Sequence, residues 1–176
     1  MEEIPHTKRP DTEEPAIGAR SFESRLSASL PRFRRFARAL TRHVADADDL
    51  VQVALERALE RQRQWRAESS LEGWMFGIIK NAWIDEVRRR RRGAALFAPE
   101  EAGALVGERS AESHAIALSV QQAMERLPNE QRLAVALVLI EGLSYTEAAA
   151  VMEVPIGTLT SRLARGRVAL MEMLGP

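Results

Sequence analysis

The chain has 176 residues, of which 45% are hydrophobic and 28% charged, enough to build and cover the cores of one or two small soluble domains. It contains no cysteine, which excludes disulfides, thiolate metal sites and a thiol nucleophile, and its longest apolar run, "LAVALVLI" at 133–140, is too short to span a bilayer. Twenty-five basic and twenty-five acidic groups cancel overall, yet residues 20–92 carry a net charge of +7 while residues 1–19 and 93–117 carry −3 each and residues 118–176 carry −1.

The first stretch, "MEEIPHTKRPDTEEP", has acids and prolines where a signal peptide needs an apolar run, so the protein is expected to be cytoplasmic, with residues 1–20 forming a disordered tail. From there on apolar residues recur at three- and four-residue steps and no stretch alternates with a period of two, which predicts an all-α fold. A first domain over 21–92 is expected to hold helices near 22–43, 47–64 and 71–91, the last capped by a serine of "SSLEG".

The second of these helices begins with "DADDLVQVALERALER", whose acids at 46, 48 and 49 suit a helix N-terminus, followed by an apolar face of Leu50, Val51, Ala54, Leu55 and Ala58. With His43 the nearest further donor, the acids lack a metal-ligand pattern, and a partner protein is the better use for any exposed part. The third helix, "LEGWMFGIIKNAWIDEVRRRRR", places Leu71, Met75, Ile78 and Ala82 toward a core together with Trp74. Lys80, Asn81, Ile84, Arg88 and Arg91 share a separate arc, and Trp83 falls opposite Trp74. That basic arc is a candidate DNA face, although an arginine run at a helix end also complements the helix dipole.

Residues 93–117, rich in Gly, Ala and acids, read as a flexible linker. The second domain, 118–176, is expected to hold helices near 117–126, 129–141, 145–152 and 156–173, with Pro128 at a helix start and Gly142 at a helix end. Ser144 and Glu147 have the spacing of a capping box, and "EVPIG" then breaks the chain into a tight turn, the grammar of a helix-turn-helix. On the last helix Leu159, Leu163, Leu170 and Leu174 form one stripe, and Thr158, Ser161, Arg162 and Arg165 lie on the opposite side. Arginine forks pair with guanine edges or phosphate, and short hydroxyls let the backbone approach a groove. A unit with a net charge of −1 should nevertheless bind DNA feebly by itself, because phosphate neutralisation dominates such affinity.

Taken together, "DADDLVQVALERAL", "LEGWMFGIIKNAWIDEVRRRRR" and "LPNEQRLAVALVLIEGLSYTEAAAVMEVPIGTLTSRLARGRVAL" resemble, in order and spacing, the bacterial RNA polymerase sigma factors of the extracytoplasmic-function (ECF) group. The resemblance covers about 22–92 and 118–174 and implies two helical domains, regions 2 and 4. It implies that Asp46, Asp49, Leu50 and Gln52 meet core RNA polymerase. Lys80, Asn81, Trp83, Arg88 and Arg91 would hold the melted minus-10 strand of promoter DNA, and Thr158, Thr160, Ser161, Arg162 and Arg165 would read the minus-35 element. It also implies control by an anti-sigma factor. Val53 and Thr160 depart from the family pattern, standing where an acid and a lysine are frequent.

With three scattered histidines, no phosphate loop and no nucleophile arrangement, no catalytic residue, metal or cofactor is expected. Two other functions fit parts of the chain. A free helix-turn-helix regulator would leave the first domain without a task and should bind symmetric half-sites as a dimer. A mimic that only occupies an anti-sigma factor has no need of Arg162 and Arg165.

Overall fold

A computed structural model of the chain describes residues 17–66, 69–94 and 111–175. Among them are seven α-helices and no strand: α1 (Ile17–Leu40), α2 (Val44–Glu60), α3 (Leu71–Ala94), α4 (Ala111–Arg126), α5 (Asn129–Val135), α6 (Tyr145–Met152) and α7 (Ile156–Leu174). A short 3-10 turn, Gln62–Gln64, follows α2, and a π-helical turn, Ala136–Ile140, extends α5. The expected tail up to residue 16 and linker residues 95–110 lie outside the described residues. The helix α1 starts at Ile17 and α4 at Ala111, each inside a stretch read as irregular. None of the described helices is long and apolar enough to cross a membrane.

The first three helices pack on one another because each carries an apolar stripe at helical spacing. Phe22, Leu26, Phe33, Phe36, Ala37 and Leu40 of α1 are buried against Leu50, Val51 and Ala54 of α2 and Leu71, Met75, Phe76 and Ile79 of α3. Aromatic rings fill the centre: Phe76 meets Phe36 at 4.8 Å and Phe33 at 5.9 Å between centroids, both edge-on, the arrangement ring quadrupoles favour. Trp74 packs edge-on to Phe22 at 6.1 Å, in keeping with the core role predicted for it. The Ser70 hydroxyl accepts from the Gly73 amide at 3.1 Å, the cap foreseen for α3.

In the second unit α5, α6 and α7 surround Leu133, Ala134, Leu137, Ala148, Ala149, Leu159 and Leu163. Ser144 caps α6 in a full capping box: its hydroxyl accepts from the Glu147 amide at 3.3 Å, and its own amide donates to the Glu147 carboxylate at 2.9 Å. The Ser144 hydroxyl also donates to that carboxylate at 2.6 Å, and this bond, with the smaller contribution of the Ser144 amide, holds the Glu147 carboxyl below the usual glutamate range. Gly142 ends the preceding helix with φ +71°, a left-handed conformation cheap only for glycine. The turn into α7 uses the same conformation at a residue with a side chain, Glu153 (φ 57°), followed by Pro155 at the N-cap. Gly166 lets α7 press on α5, since a Cβ there would stand 2.8 Å from a Val135 methyl. The predicted α7 stripe is buried at Leu159 and Leu163 but opens toward the C-terminus, where Leu174 is exposed. Met171 and Val168 are exposed too, so the final turns extend past the packing partners that α5 provides.

The two units are packed together, and one buried apolar cluster runs through both. Helix α3 lies against α6, and α1 lies against α4 and the π-helical turn.

Candidate nucleic-acid interface

The helix-turn-helix presents the polar side of α7 to solvent. Thr160, Ser161, Arg165 and Arg167 are exposed, Thr158 is half-buried, and Leu159 and Leu163 anchor the opposite side. The hydroxyls of Thr160 and Ser161 donate back to the carbonyls of Ile156 and Gly157, so both side chains offer oxygen lone pairs outward. Arg162 differs from Arg165: its guanidinium reaches across to Glu130 at the start of α5, 2.8 Å away, and the side chain is only 23% exposed. One of the two predicted arginines is therefore free for a groove, while the other also ties α7 to α5.

On α3 the predicted basic arc divides. Asn81, Arg88 and Arg91 are exposed, as the helical projection requires. Lys80 and Trp83, assigned to an outward arc, are each only 4% exposed. The projection considered one helix against one core, whereas α3 has a second neighbour. The Lys80 ammonium pairs with Glu153 of the helix-turn-helix turn at 2.8 Å, and Trp83 lies beneath the Arg132 guanidinium of α5, 5.9 Å from its ring centroid. The arginine run at the end of α3 is partly consumed within its own unit. Arg90 bonds to Asp46 of α2 at 3.0 Å and, with Arg89, to Glu86 at 2.6 Å. These partners raise the Arg90 pKa, Asp46 most of all, and for Glu86 the two arginines outweigh the upward pull of burial and bring it below the usual range.

At the start of α2, Asp49 and Gln52 are exposed, the latter donating to Glu56 at 3.2 Å. Asp46 is half-buried by its bond to Arg90, and Leu50, 7% exposed, belongs to the core. The four residues assigned to a polymerase contact thus split into an exposed pair and a structural pair.

Sequence reasoning missed the side chains that join the units. Arg132 is buried, and its two terminal nitrogens donate to the carbonyls of Leu40 (2.9 Å), Leu127 (3.2 Å) and Glu125. It thereby satisfies the C-terminal ends of α1 and α4 with one fork, a task for which five fixed donors suit arginine. Burial pushes the Arg132 pKa down, and the side chain stays protonated because arginine does not lose its proton in proteins. Glu141, with a side chain wholly covered, accepts from Arg35 at 2.9 and 2.8 Å and from Arg32 at 3.3 Å. Gln121 adds bonds to the carbonyls of Arg38 and Thr41. The only local sign of any of these was an acid and an arginine flanking an apolar run; their partners across the seam stand 80 to 109 residues away.

Fold and surface define a class, an all-helical protein of two units that couples a capped helix-turn-helix to a basic helix. Residues 26–80 match the family described as the Sigma2 domain of PhyR, and residues 117–170 match Sigma-70, region 4. The chain is 34% identical to the ECF RNA polymerase sigma factor EcfG of Rhodopseudomonas palustris, over 88% of this chain and 85% of that one. It is 38% identical to SigM of Mycobacterium tuberculosis, over 80% of this chain and 70% of that one. Its fold matches the sigma factor RpoE of Bartonella quintana, solved in complex with the anti-sigma factor NepR. That match has a TM-score of 0.75 and 31% identity, and it covers 88% of this chain and 97% of the other. The protein belongs to the ECF group of RNA polymerase sigma factors. As such it is a transcription initiation factor and not an enzyme.

Proposed function

We propose that this sigma factor works in the cytoplasm, binding core RNA polymerase and directing it to promoters through two DNA contacts. Region 2, taken as residues 21–92, would hold the melted minus-10 strand with Asn81, Arg88 and Arg91, joined by Lys80 and Trp83 once region 4 moves away. Region 4, residues 118–176, would read the minus-35 element with Thr158, Thr160, Ser161, Arg162 and Arg165. Asp49 and Gln52, with Asp46 and Leu50 shaping the helix that carries them, would meet the polymerase. An anti-sigma factor would hold the protein inactive, as the pairing of a similar sigma factor with NepR suggests.

The observation that carries this reading is the capped α6–turn–α7 motif with an exposed polar face on α7. Single-strand capture needs cations and stacking surface, and α3 supplies both without any hydrolytic chemistry. The low charge of region 4 fits a reader whose affinity comes from being tethered at high effective concentration to a second contact.

One observation favours a second reading. The first unit matches a family described from PhyR, and a chain that merely occupied an anti-sigma factor would need a region 2 surface and no promoter. Reconstitution with core polymerase and a promoter library, followed by transcript mapping, separates the two. New start sites with a common upstream element are expected; start sites identical to those of core alone would refute promoter direction and favour the mimic or a free regulator.

A further inference from the structure

A cleft of about 660 Å³ opens between α2, the last turns of α3, the turn that joins α1 to α2, and α5. That is the size of a small-ligand site. Leu40 and Trp83, both buried, form an apolar floor. Seven arginines and four carboxylates line the cleft. Three of the carboxylates are already paired: Asp46 and Glu86 with Arg89 and Arg90, and Asp85 with Arg57 at 3.2 Å. Arg42, Arg91 and Arg92 are exposed, and among the described residues their side chains meet no carboxylate and make no hydrogen bond. Arg132, 7% exposed, also lines the cleft. Its terminal nitrogens fork to carbonyls, but its Nε–H has no hydrogen-bond partner among the described residues. Arg42 stands near enough for like-charge repulsion to add to burial in pushing the Arg132 pKa down.

A buried donor without an acceptor and cations crowded without a counter-charge are both unfavourable, and an anion in the cleft relieves both. The kind of anion follows from the shape. A nucleic-acid strand carries one charge per nucleotide, spread along its length, and would have to pass the exposed, unpaired Asp49 carboxylate. A polyphosphate concentrates its charge on adjacent phosphoryl groups, which suits guanidiniums brought from separate elements to one cleft. We propose that this cleft binds a small polyphosphate anion, the class that includes the nucleoside polyphosphates, through Arg42, Arg91 and Arg92, with Arg132 behind them. The apolar floor and the partly exposed Val53 leave a surface beside the phosphates for a nucleoside. The assignment of α3 to promoter DNA is not needed for this site.

Isothermal titration calorimetry of the full chain at about 0.15 M salt, with sodium tripolyphosphate as the probe, tests the proposal. One saturable site is expected, with orthophosphate weaker by about tenfold or more. Tighter binding of ATP or GTP than of tripolyphosphate identifies a nucleoside polyphosphate as the ligand; equal or weaker binding identifies the phosphate chain alone. Arg42→Gln and Arg92→Gln should each weaken tripolyphosphate about tenfold through loss of one charge-assisted contact, with the circular dichroism spectrum and Tm unchanged. Arg63→Gln removes an exposed charge outside the cleft and should change the affinity by less than about twofold. Absence of saturable binding, orthophosphate as tight as tripolyphosphate, unchanged affinity in both cleft variants, or an equal loss in all three variants overturns the site. So does a single-stranded oligonucleotide that loses as much affinity as tripolyphosphate in both cleft variants, since the patch would then belong to the DNA surface.

Discussion

Replacing Gly166 by alanine sets two effects of known size against each other. Alanine in a helix interior is favoured over glycine by about 0.5–1 kcal/mol. The new Cβ, however, would lie 2.8 Å from a Val135 methyl and 3.4 Å from the Gln131 carbonyl and Cβ. Val135 is β-branched and 2% exposed, so it cannot swing aside, and overpacking of this kind costs about 1–3 kcal/mol. The expected net loss is about 1 kcal/mol, or a Tm lower by about 3 °C for a chain of this size. Gly77→Ala is the control: it sits within α3 with no neighbour within 4 Å of its would-be Cβ, so only the propensity gain remains and Tm should rise. Urea unfolding of both variants and of Gly166→Ala/Val135→Ala measures the balance. The double variant should lose less than the two single losses added together, because the smaller side chain removes the clash. Strict additivity, or a Gly166→Ala protein as stable as Gly77→Ala, would refute the claim that close approach of α5 and α7 determines the residue at 166.

Further outcomes follow from other residues. Arg132→Ala should destabilise the chain by about 3 kcal/mol by stranding carbonyls at two helix ends, and Arg132→Lys should recover little, since an ammonium cannot fork across them; denaturant titration measures both. Ser144→Ala should cost about 1 kcal/mol in the same assay. Because the Glu147 carboxyl lies below its ordinary value, its share of the cap is complete above the unfolded glutamate pKa and is lost as pH falls through the folded one; Ser144→Ala should flatten that acid limb of a stability–pH curve. Arg165→Ala should weaken use of promoters through their upstream element with core affinity unchanged, and Glu130→Ala, by freeing Arg162, should strengthen it; footprinting and core-binding titrations separate the two effects.

Most of the fold could be read along the chain because its determinants are local. The Ser70 cap, the Ser144–Glu147 box, Gly142 and Pro155 are decided by residues within four positions of one another, and the structure places each where the spacing put it. The α3 surface was only half legible. Helical projection separates faces but does not say how many faces are covered, and Lys80 and Trp83 are buried by a unit whose approach no local pattern announces. The same holds for Arg132 and Glu141, whose partners on α1 lie far off in sequence. At α7 Ser161 and Arg165 stand exposed as their spacing predicts and Thr158 is half-buried, while the pairing of Arg162 with Glu130 needed the packed helices to be seen.

The left-handed turn at Glu153 joins two properties in one residue. Glycine would relieve that backbone of about 1 kcal/mol of strain, yet it would remove the carboxylate that meets Lys80. A stability screen of the isolated second unit should therefore favour Glu153→Gly, whereas a screen of the whole chain has an opposing reason to keep the acid. The turn that fixes the angle of α7 is thus a point of conflict between local comfort and cross-domain pairing. Optimising either unit alone would select against the residue that links them.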